Sequence, residues 1–470
     1  MQLPILPLPN SIVFHEGEIT SDALAHTEEH DDPQLIYEAY RLVIKKDSVR
    51  VYASSAAGFF YAQKTLKELM LCMPAIPCCE IADAPNYPYR GFMIDCARHF
   101  FPVDVLERMI DAAAALKLNV FHWHLSDDQG FRFKSERFTK LTSIGSVRPS
   151  GSFDGLTSGE YGGYYTKADI RHVVNFCAER HISVIPEIDL PGHVSAILAA
   201  YPELSCSGGS VQVKTRGGIF DDILCVGKES VYEFVFALID ELSELFPDKR
   251  FHIGGDEVKK GQWRSCPDCQ RRKKELGLKN ETELQGYFTR RVSEHLHKLT
   301  KTPIVWNDAL NGIELPDYVL VQYWMGSKKN TAAHVNNGGA AIYSGCMHSY
   351  FDYPYGITPL FKAYRSKPQN TGIPNISGVE CTFWSEYILD EKRLHYLAFP
   401  RIAATAETGW TKPAFKNETN FLCRVKEIRP FFEEHGIRFA PEEDWNMSSH
   451  RSMRDIAAHV GRMAGKTDRP

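Results

Sequence analysis

Two acids stand side by side in Gly254-Gly255-Asp256-Glu257, directly behind the short apolar run 250–254. Other chemistry-bearing residues gather behind similar runs. Asp95 and Arg98 close the run 91–96, and His122, His124, Asp127 and Asp128 close 119–125. Glu187, Asp189 and His193 follow 183–188, while Trp306 and Trp324 end the runs 303–306 and 319–324. Tyr350 and Asp352 come after 340–343, and Trp384 and Glu386 after 378–384. If these runs are parallel strands, one end of the fold collects carboxylates, an arginine, histidines, a tyrosine and three tryptophans. Such a mixture suits a sugar: aromatic faces stack on C–H surfaces, and charged groups fix hydroxyls. An acid among them can protonate a departing glycosidic oxygen.

The elements that must position these residues are legible in the periodicity. Eight apolar runs alternate with amphipathic segments from about residue 88 onward. The clearest helical stripe is Val231, Phe234, Val235, Leu238, Ile239, Leu242 and Leu245, at the i, i+3, i+4 spacing of one buried face. Eight strand-helix units predict a (β/α)₈ barrel of class α/β, a TIM barrel. An open doubly wound sheet is the competing architecture, but no Gly-rich phosphate or dinucleotide loop follows the first strand. Ahead of the barrel, residues 1–86 read as a small α+β domain. Tyr40, Leu42 and Ile44 alternate, as do Val49 and Val51, with Lys45-Lys46-Asp47 as the turn of a hairpin. A helix with Phe60, Leu66, Leu69 and Met70 on one side follows, and Asp83-Ala84-Pro85-Asn86 marks the boundary. The catalytic barrel then spans 87–440, and 441–470 is a polar C-terminal tail without a usable pattern.

Composition narrows the partners. With 470 residues, 43% apolar and 24% charged, the chain can build a substantial core. A net charge of −5 speaks against a nucleic-acid partner, and no run of about 18 apolar residues predicts a membrane span. Met1 to Asn10 has no positive charge and is broken by Pro4, Pro7 and Pro9, unlike a secretory leader. Twelve scattered cysteines do not form a disulfide framework in a chain this long, so reduced thiols in a cytoplasm are expected. Cys96, Cys177 and Cys225 lie in apolar runs and read as small hydrophobes. Cys266-Pro267-Asp268-Cys269 has no second pair nearby and reads as an inert, disulfide-prone loop pair in preference to a metal site. His122 and His124 read as hydrogen-bonded core histidines, because no third ligand is spaced for zinc. Asn280-Glu281-Thr282 and Asn417-Glu418-Thr419 fit the glycosylation pattern, which has no meaning without secretion.

Four segments together resemble glycoside hydrolase family 20, the β-N-acetylhexosaminidases. They are Arg90-Gly91-Phe92-Met93-Ile94-Asp95 with Arg98-His99-Phe100, His122-Trp123-His124-Leu125-Ser126-Asp127-Asp128-Gln129-Gly130, Pro186-Glu187-Ile188-Asp189-Leu190-Pro191-Gly192-His193, and Gly254-Gly255-Asp256-Glu257. The resemblance runs from the N-terminal unit to about residue 410. It implies that Glu257 is the general acid/base and that Asp256 orients the substrate's 2-acetamido group. It implies that Tyr350 bonds the acetamido oxygen and that Trp306, Trp324 and Trp384 wall the pocket around it. Arg98, Asp352 and Glu386 would hold sugar hydroxyls, with Asp127, Asp189 and His193 supporting the site, His193 through a relay to the acid.

The chemistry agrees with that implication. Retaining glycosidases with a carboxylate nucleophile hold two carboxyl groups about 5–5.5 Å apart across the anomeric carbon. Neighbours such as Asp256 and Glu257 fit that geometry poorly, since adjacent strand residues point to opposite faces unless the strand end bends. They suit a reaction in which the substrate's own acetamido oxygen attacks. The expected function is exo-acting, retaining hydrolysis of terminal β-linked N-acetylhexosamine from oligosaccharides or glycoconjugates, with no metal or organic cofactor. Two competitors are another glycosidase on the same barrel, such as a lacto-N-biosidase, and a non-catalytic sugar-binding barrel. Locally, the Asp-Glu pair could also be a solvated helix N-terminus, and Arg98 a structural partner of Asp95 or Asp127.

Overall fold

The computed structural model of the chain describes residues 3–20, 27–156 and 158–464. Its centre is a closed barrel of eight parallel strands in sequence order: Tyr89–Asp95, Val120–His124, Ser183–Glu187, Arg250–His252, Thr302–Trp306, Leu320–Tyr323, Ala340–Tyr343 and Ile376–Phe383. Each pairs in parallel with the next, and the last closes on the first, with Phe383 opposite Ile94. Helices cover the outside. Among them is Glu229–Ser243, whose stripe from Val231 to Leu242 is buried.

Side-chain alternation along the strands stacks the interior in layers. The second strand shows it: Phe121 and Trp123 join the core between barrel and helices, while Val120, His122 and His124 point inward. The lowest layer is apolar, with Tyr89, Val120, Ile185, Ile304 and Ile342 packed together. Above it lies a buried polar layer. His122 Nδ1 is 2.9 Å from Glu380, His124 Nδ1 is 2.5 Å from Glu187, and Gln322 donates to Glu380 at 2.6 Å. The two histidines are therefore hydrogen-bonded core groups, as their spacing predicts. Glu187 also meets His122 and His252, at 3.1 and 2.9 Å. The layer forms a floor beneath the strand ends.

Five strands ahead of the barrel form a separate sheet: Ser11–Thr20, Thr27–Asp31, Tyr40–Ile44, Val49–Ala53 and Ala75–Asp83. The expected hairpin is its third and fourth strands, antiparallel, with Lys45 N–H bonded to Ser48 C=O across the turn. The helix Ala56–Cys72, capped by Ser55, buries Tyr61, Leu66 and Leu69 on this sheet, whereas Phe60 and Met70 are only half-buried. Ser11–Thr20 escapes the alternation pattern because it is an edge strand with eight of its residues exposed or half-exposed at Ile12 to Gly17 and beyond. The sheet is tied to the barrel by a buried pair, Lys117 with Asp83 at 3.2 Å.

Three sequence expectations need correction. The tail contains the helices Glu442–Trp445 and Ser449–Ala464, the second of which brings His459 against the barrel mouth. Cys266 and Cys269 are not isolated, because Cys206 and Cys225 fold onto them from distant sequence positions. For the same reason Cys225 is more than a small hydrophobe. Asn280 and Asn417 serve as helix N-caps, their side chains accepting backbone N–H bonds from Thr282, Glu283 and Asn420.

Candidate active site

A cavity of about 550 Å³ opens at the C-terminal ends of the barrel strands. Its wall includes Arg98, Asp256, Glu257, Trp324, Tyr350, Asp352, Trp384 and Glu386. The cavity thus collects residues drawn from five strand ends and their following loops.

The segment behind the fourth strand explains how consecutive acids reach one cavity. Gly254 and Gly255 take φ of 62° and 104°, and Glu257 itself has φ 49°. A Cβ at Gly254 would run into the Asp189 carboxylate, and Asp189 accepts the Gly255 N–H at 3.0 Å. The strand is therefore broken by a glycine turn seated on Asp189, and both acids swing inward. No helix starts here; the next one is Gly261–Ser265. A left-handed backbone at a glutamate is uncommon and marks a position held by its surroundings.

Behind Glu257 runs a chain of charged groups. His193 Nε2 lies 3.6 Å from Glu257, and His193 Nδ1 lies 3.2 Å from Asp127. Asp127 also receives His124 Nε2 at 3.0 Å and Arg98 Nη2 at 2.8 Å. Burial alone would raise the Asp127 carboxyl, but Arg98 and His193 outweigh it and hold it well below the usual range. His193 shows the converse: burial disfavours its charge, yet Asp127 and Asp128 raise its pKa well above that of a free imidazole. Arg98 pairs with Asp95 as well, at 3.2 Å, and its guanidinium lies 5.0 Å from the Trp384 ring. It is both a structural ion pair and part of the cavity wall.

Asp256 is pushed up to about 7, first by burial and then by the charges of Glu257 and Asp308, against the opposing effect of His193. One of its oxygens makes no hydrogen bond to the chain. Asp352 is raised to about 8 by burial, with Glu386 adding to the shift, and it too keeps an unpartnered oxygen. Two buried carboxylate oxygens without partners are costly in an empty site and suit a ligand that donates hydrogen bonds.

Aromatic rings line the rest. Tyr350 stacks on Trp324 with centroids 5.9 Å apart and tilts toward Trp384 at 6.1 Å. Trp306 is placed differently from expectation. It is 1% exposed, donates its indole N–H to Glu187 at 2.9 Å and packs behind Trp384. Asp127, Asp189 and His193 likewise stand behind the cavity wall, holding residues that face it.

Several wall residues carry no signal in the strand-end pattern. The loop residues 216–220 cover one side, and Gly218 donates its N–H to Glu386 at 3.2 Å. Tyr353, Tyr387 and His459 form another side, with His459 4.9 Å from Tyr387 and 6.1 Å from Tyr353. Asp308 accepts the Trp324 indole N–H at 2.7 Å and so sets that ring's angle. Asp308 sits just past the Trp306 strand end and was within reach of the same reasoning.

The family model of the glycosyl hydrolase family 20 catalytic domain matches residues 87–413, and that of the family's domain 2 matches residues 9–84. The chain belongs to glycosyl hydrolase family 20. Its catalytic domain is the barrel that carries the cavity, and domain 2 is the five-stranded sheet with its helix. A beta-hexosaminidase of Porphyromonas gingivalis is 35% identical over 449 residues, covering 89% of this chain and 57% of that protein. A beta-hexosaminidase of Akkermansia muciniphila is 32% identical over 451 residues, covering 92% of this chain and 90% of its own length. Among solved structures, the family 20 exo beta-N-acetylglucosaminidase of Vibrio harveyi, in complex with N-acetylglucosamine, superposes with a TM-score of 0.85 at 29% identity. That match covers 95% of this chain and 80% of the other. The chain thus spans little more than half of the first relative and nearly all of the second.

Proposed function

We propose that this family 20 chain is an exo-acting, retaining β-N-acetylhexosaminidase that releases terminal GlcNAc or GalNAc from the non-reducing end of β-linked glycans. The observation that carries the reading is the placement of Asp256 and Glu257, consecutive in sequence, on one cavity beside Tyr350 and Trp384. Adjacent carboxylates cannot flank an anomeric carbon from opposite sides, so the nucleophile is the substrate's acetamido oxygen. Asp256 accepts the acetamido N–H with its unpartnered oxygen, and Tyr350 donates to the acetamido oxygen. Trp324 and Trp384 exclude water from the forming ring. Glu257 gives its proton to the leaving oxygen and then takes one from the water that opens the oxazolinium intermediate.

Arg98, Asp352 and Glu386 hold the outer hydroxyls. The charge of Glu386 acts on both of the others, which groups the three on one part of the wall. The Gly218 N–H bond to Glu386 brings the 216–220 loop over that part, which favours a closed pocket and release of single sugars.

Two substrates test the reading: an aryl N-acetyl-β-glucosaminide and the matching glucoside without the acetamido group. Turnover is expected only for the first, with tight inhibition by a thiazoline mimic of the intermediate. Comparable rates on both, or a glycosyl group trapped on a carboxylate, would exclude it. Early internal fragments from a chito-oligosaccharide would exclude the exo assignment.

A further inference from the structure

Four thiols meet at the base of the 216–220 loop, away from the cavity. Cys225 Sγ lies 3.6 Å from both Cys266 Sγ and Cys269 Sγ, and Cys206 Sγ lies 3.9 Å from Cys269 Sγ. All four sulfurs fall within 4.8 Å of one another. None is in a disulfide, whose S–S length is about 2.05 Å. Four thiolates around one tetrahedral zinc, at about 2.3 Å each, would stand about 3.8 Å apart. The observed spacings bracket that value. Cys225 and Cys269 each contact two other sulfurs, which suits a shared centre better than two separate pairs.

We propose that Cys206, Cys225, Cys266 and Cys269 bind one structural zinc ion. Soft thiolates select zinc over magnesium or calcium, and a full set of four protein ligands leaves no open position for catalysis. Three of the cysteines are buried and Cys206 is half-buried, so the site is closed. On binding, each thiol gives up its proton and its sulfur pair coordinates the ion; nothing is oxidised or reduced.

The backbone around the thiols is arranged to match. Cys266 caps the helix Pro267–Glu275 and Cys269 lies in its first turn, where unsatisfied N–H groups favour negative sulfur. Gly227, two residues after Cys225, is pressed so closely on the Asp268–Cys269 backbone that a Cβ would have no room. Cys206 and Cys225 are brought side by side by the bridge between Ser205 and Leu224 and by the Cys225 N–H bond to Leu204 C=O at 2.8 Å.

The position gives the ion a task. Cys206 and Cys225 bracket the stretch that carries Arg216 to Phe220 to the cavity. Cys266 and Cys269 belong to the helices that follow Glu257. One zinc would therefore fasten both ends of the substrate-side loop to the segment behind the acid. Its role is positioning, and the hydrolytic step itself calls for no metal.

The test uses the full chain purified without chelators and without a metal-affinity column. Mass-spectrometric metal analysis after dialysis is expected to find about one zinc per chain, and a mercurial that caps thiols should release it into a colorimetric zinc indicator. Replacing the zinc with cobalt should produce thiolate-to-cobalt charge-transfer bands with tetrahedral d–d bands. Cys225→Ser and Cys269→Ser should each abolish stoichiometric binding and speed proteolysis within 206–225. Should these variants fail to fold, the wild-type release and cobalt spectra still decide the matter. A metal-free protein that takes up neither zinc nor cobalt overturns the proposal. So does alkylation under denaturing conditions, with chelator and without reductant, that finds these four cysteines oxidised to disulfides.

Discussion

Arg98 and Asp127 form a buried ion pair at 2.8 Å, and the other oxygen of Asp127 faces His193, whose far nitrogen faces Glu257. One carboxylate therefore supports both the sugar-holding arginine and the group behind the proposed acid. Asp127→Asn should raise KM through Arg98 and lower kcat through His193. A combined loss in kcat/KM of about 10²-fold is expected, or about 2.7 kcal/mol. Steady-state kinetics check the split: a fall in kcat with unchanged KM would show that Asp95 alone holds Arg98.

Glu257→Gln should discriminate between leaving groups. A sugar alcohol needs protonation to depart and an activated aryl group hardly does. The expected loss is about 10³-fold or more on a disaccharide and much smaller on the activated aryl glycoside. Equal losses on both would remove Glu257 from the proton-transfer step. Asp256→Asn, by contrast, should slow both substrates, because the acetamido attack is common to them.

Asp256 also makes a prediction about stability. Its pKa is about 7 in the folded chain against an ordinary 3.8, with burial the leading cause. A raised carboxyl favours the folded state when protonated, and that contribution is lost as pH rises through about 7. Asp256→Asn keeps the site neutral at every pH. Thermal unfolding should find the variant little different near pH 4 and more stable, by a few degrees, near pH 8. The same substitution lowers activity, an exchange expected where function requires an uncomfortable charge. A pH-independent difference in Tm would contradict the assignment.

Trp384 faces the cavity, lies against Arg98 and stands between Tyr350 and Trp306. Trp384→Ala would open the acetamido side to water and loosen Tyr350. The expected cost is about 10²-fold in kcat through lost positioning. Trp306→Phe, behind it, should mainly lower Tm because Glu187 loses an indole N–H partner. Equal kinetic effects from the two would place both rings on the substrate.

The barrel and the list of strand-end residues were readable in the linear sequence for a local reason. A strand buried on both sides must be apolar, and the residues that follow it must be polar, so eight runs with eight polar ends mark themselves. Asp256, Glu257, Arg98, Tyr350 and Trp384 were all found this way. The bend that brings Asp256 and Glu257 to one cavity was only a requirement at that level. The glycine backbone angles and the Asp189 seat that satisfy it belong to the folded chain.

Tertiary structure alone decided which residues touch the cavity and which stand behind it. Trp306 and Trp324 end neighbouring strands in the same manner, yet inward packing on Glu187 takes the first ring out of the wall. His459 reaches the cavity from a helix that no periodicity tied to the barrel, and residues 216–220 reach it from a loop of no marked composition. The four cysteines make the same point: only one pair, Cys266 and Cys269, is close in sequence, and the other two arrive through loop closure. Sequence spacing records neighbours along the chain, whereas a site assembled from several loops depends on distances that exist only once the barrel has closed.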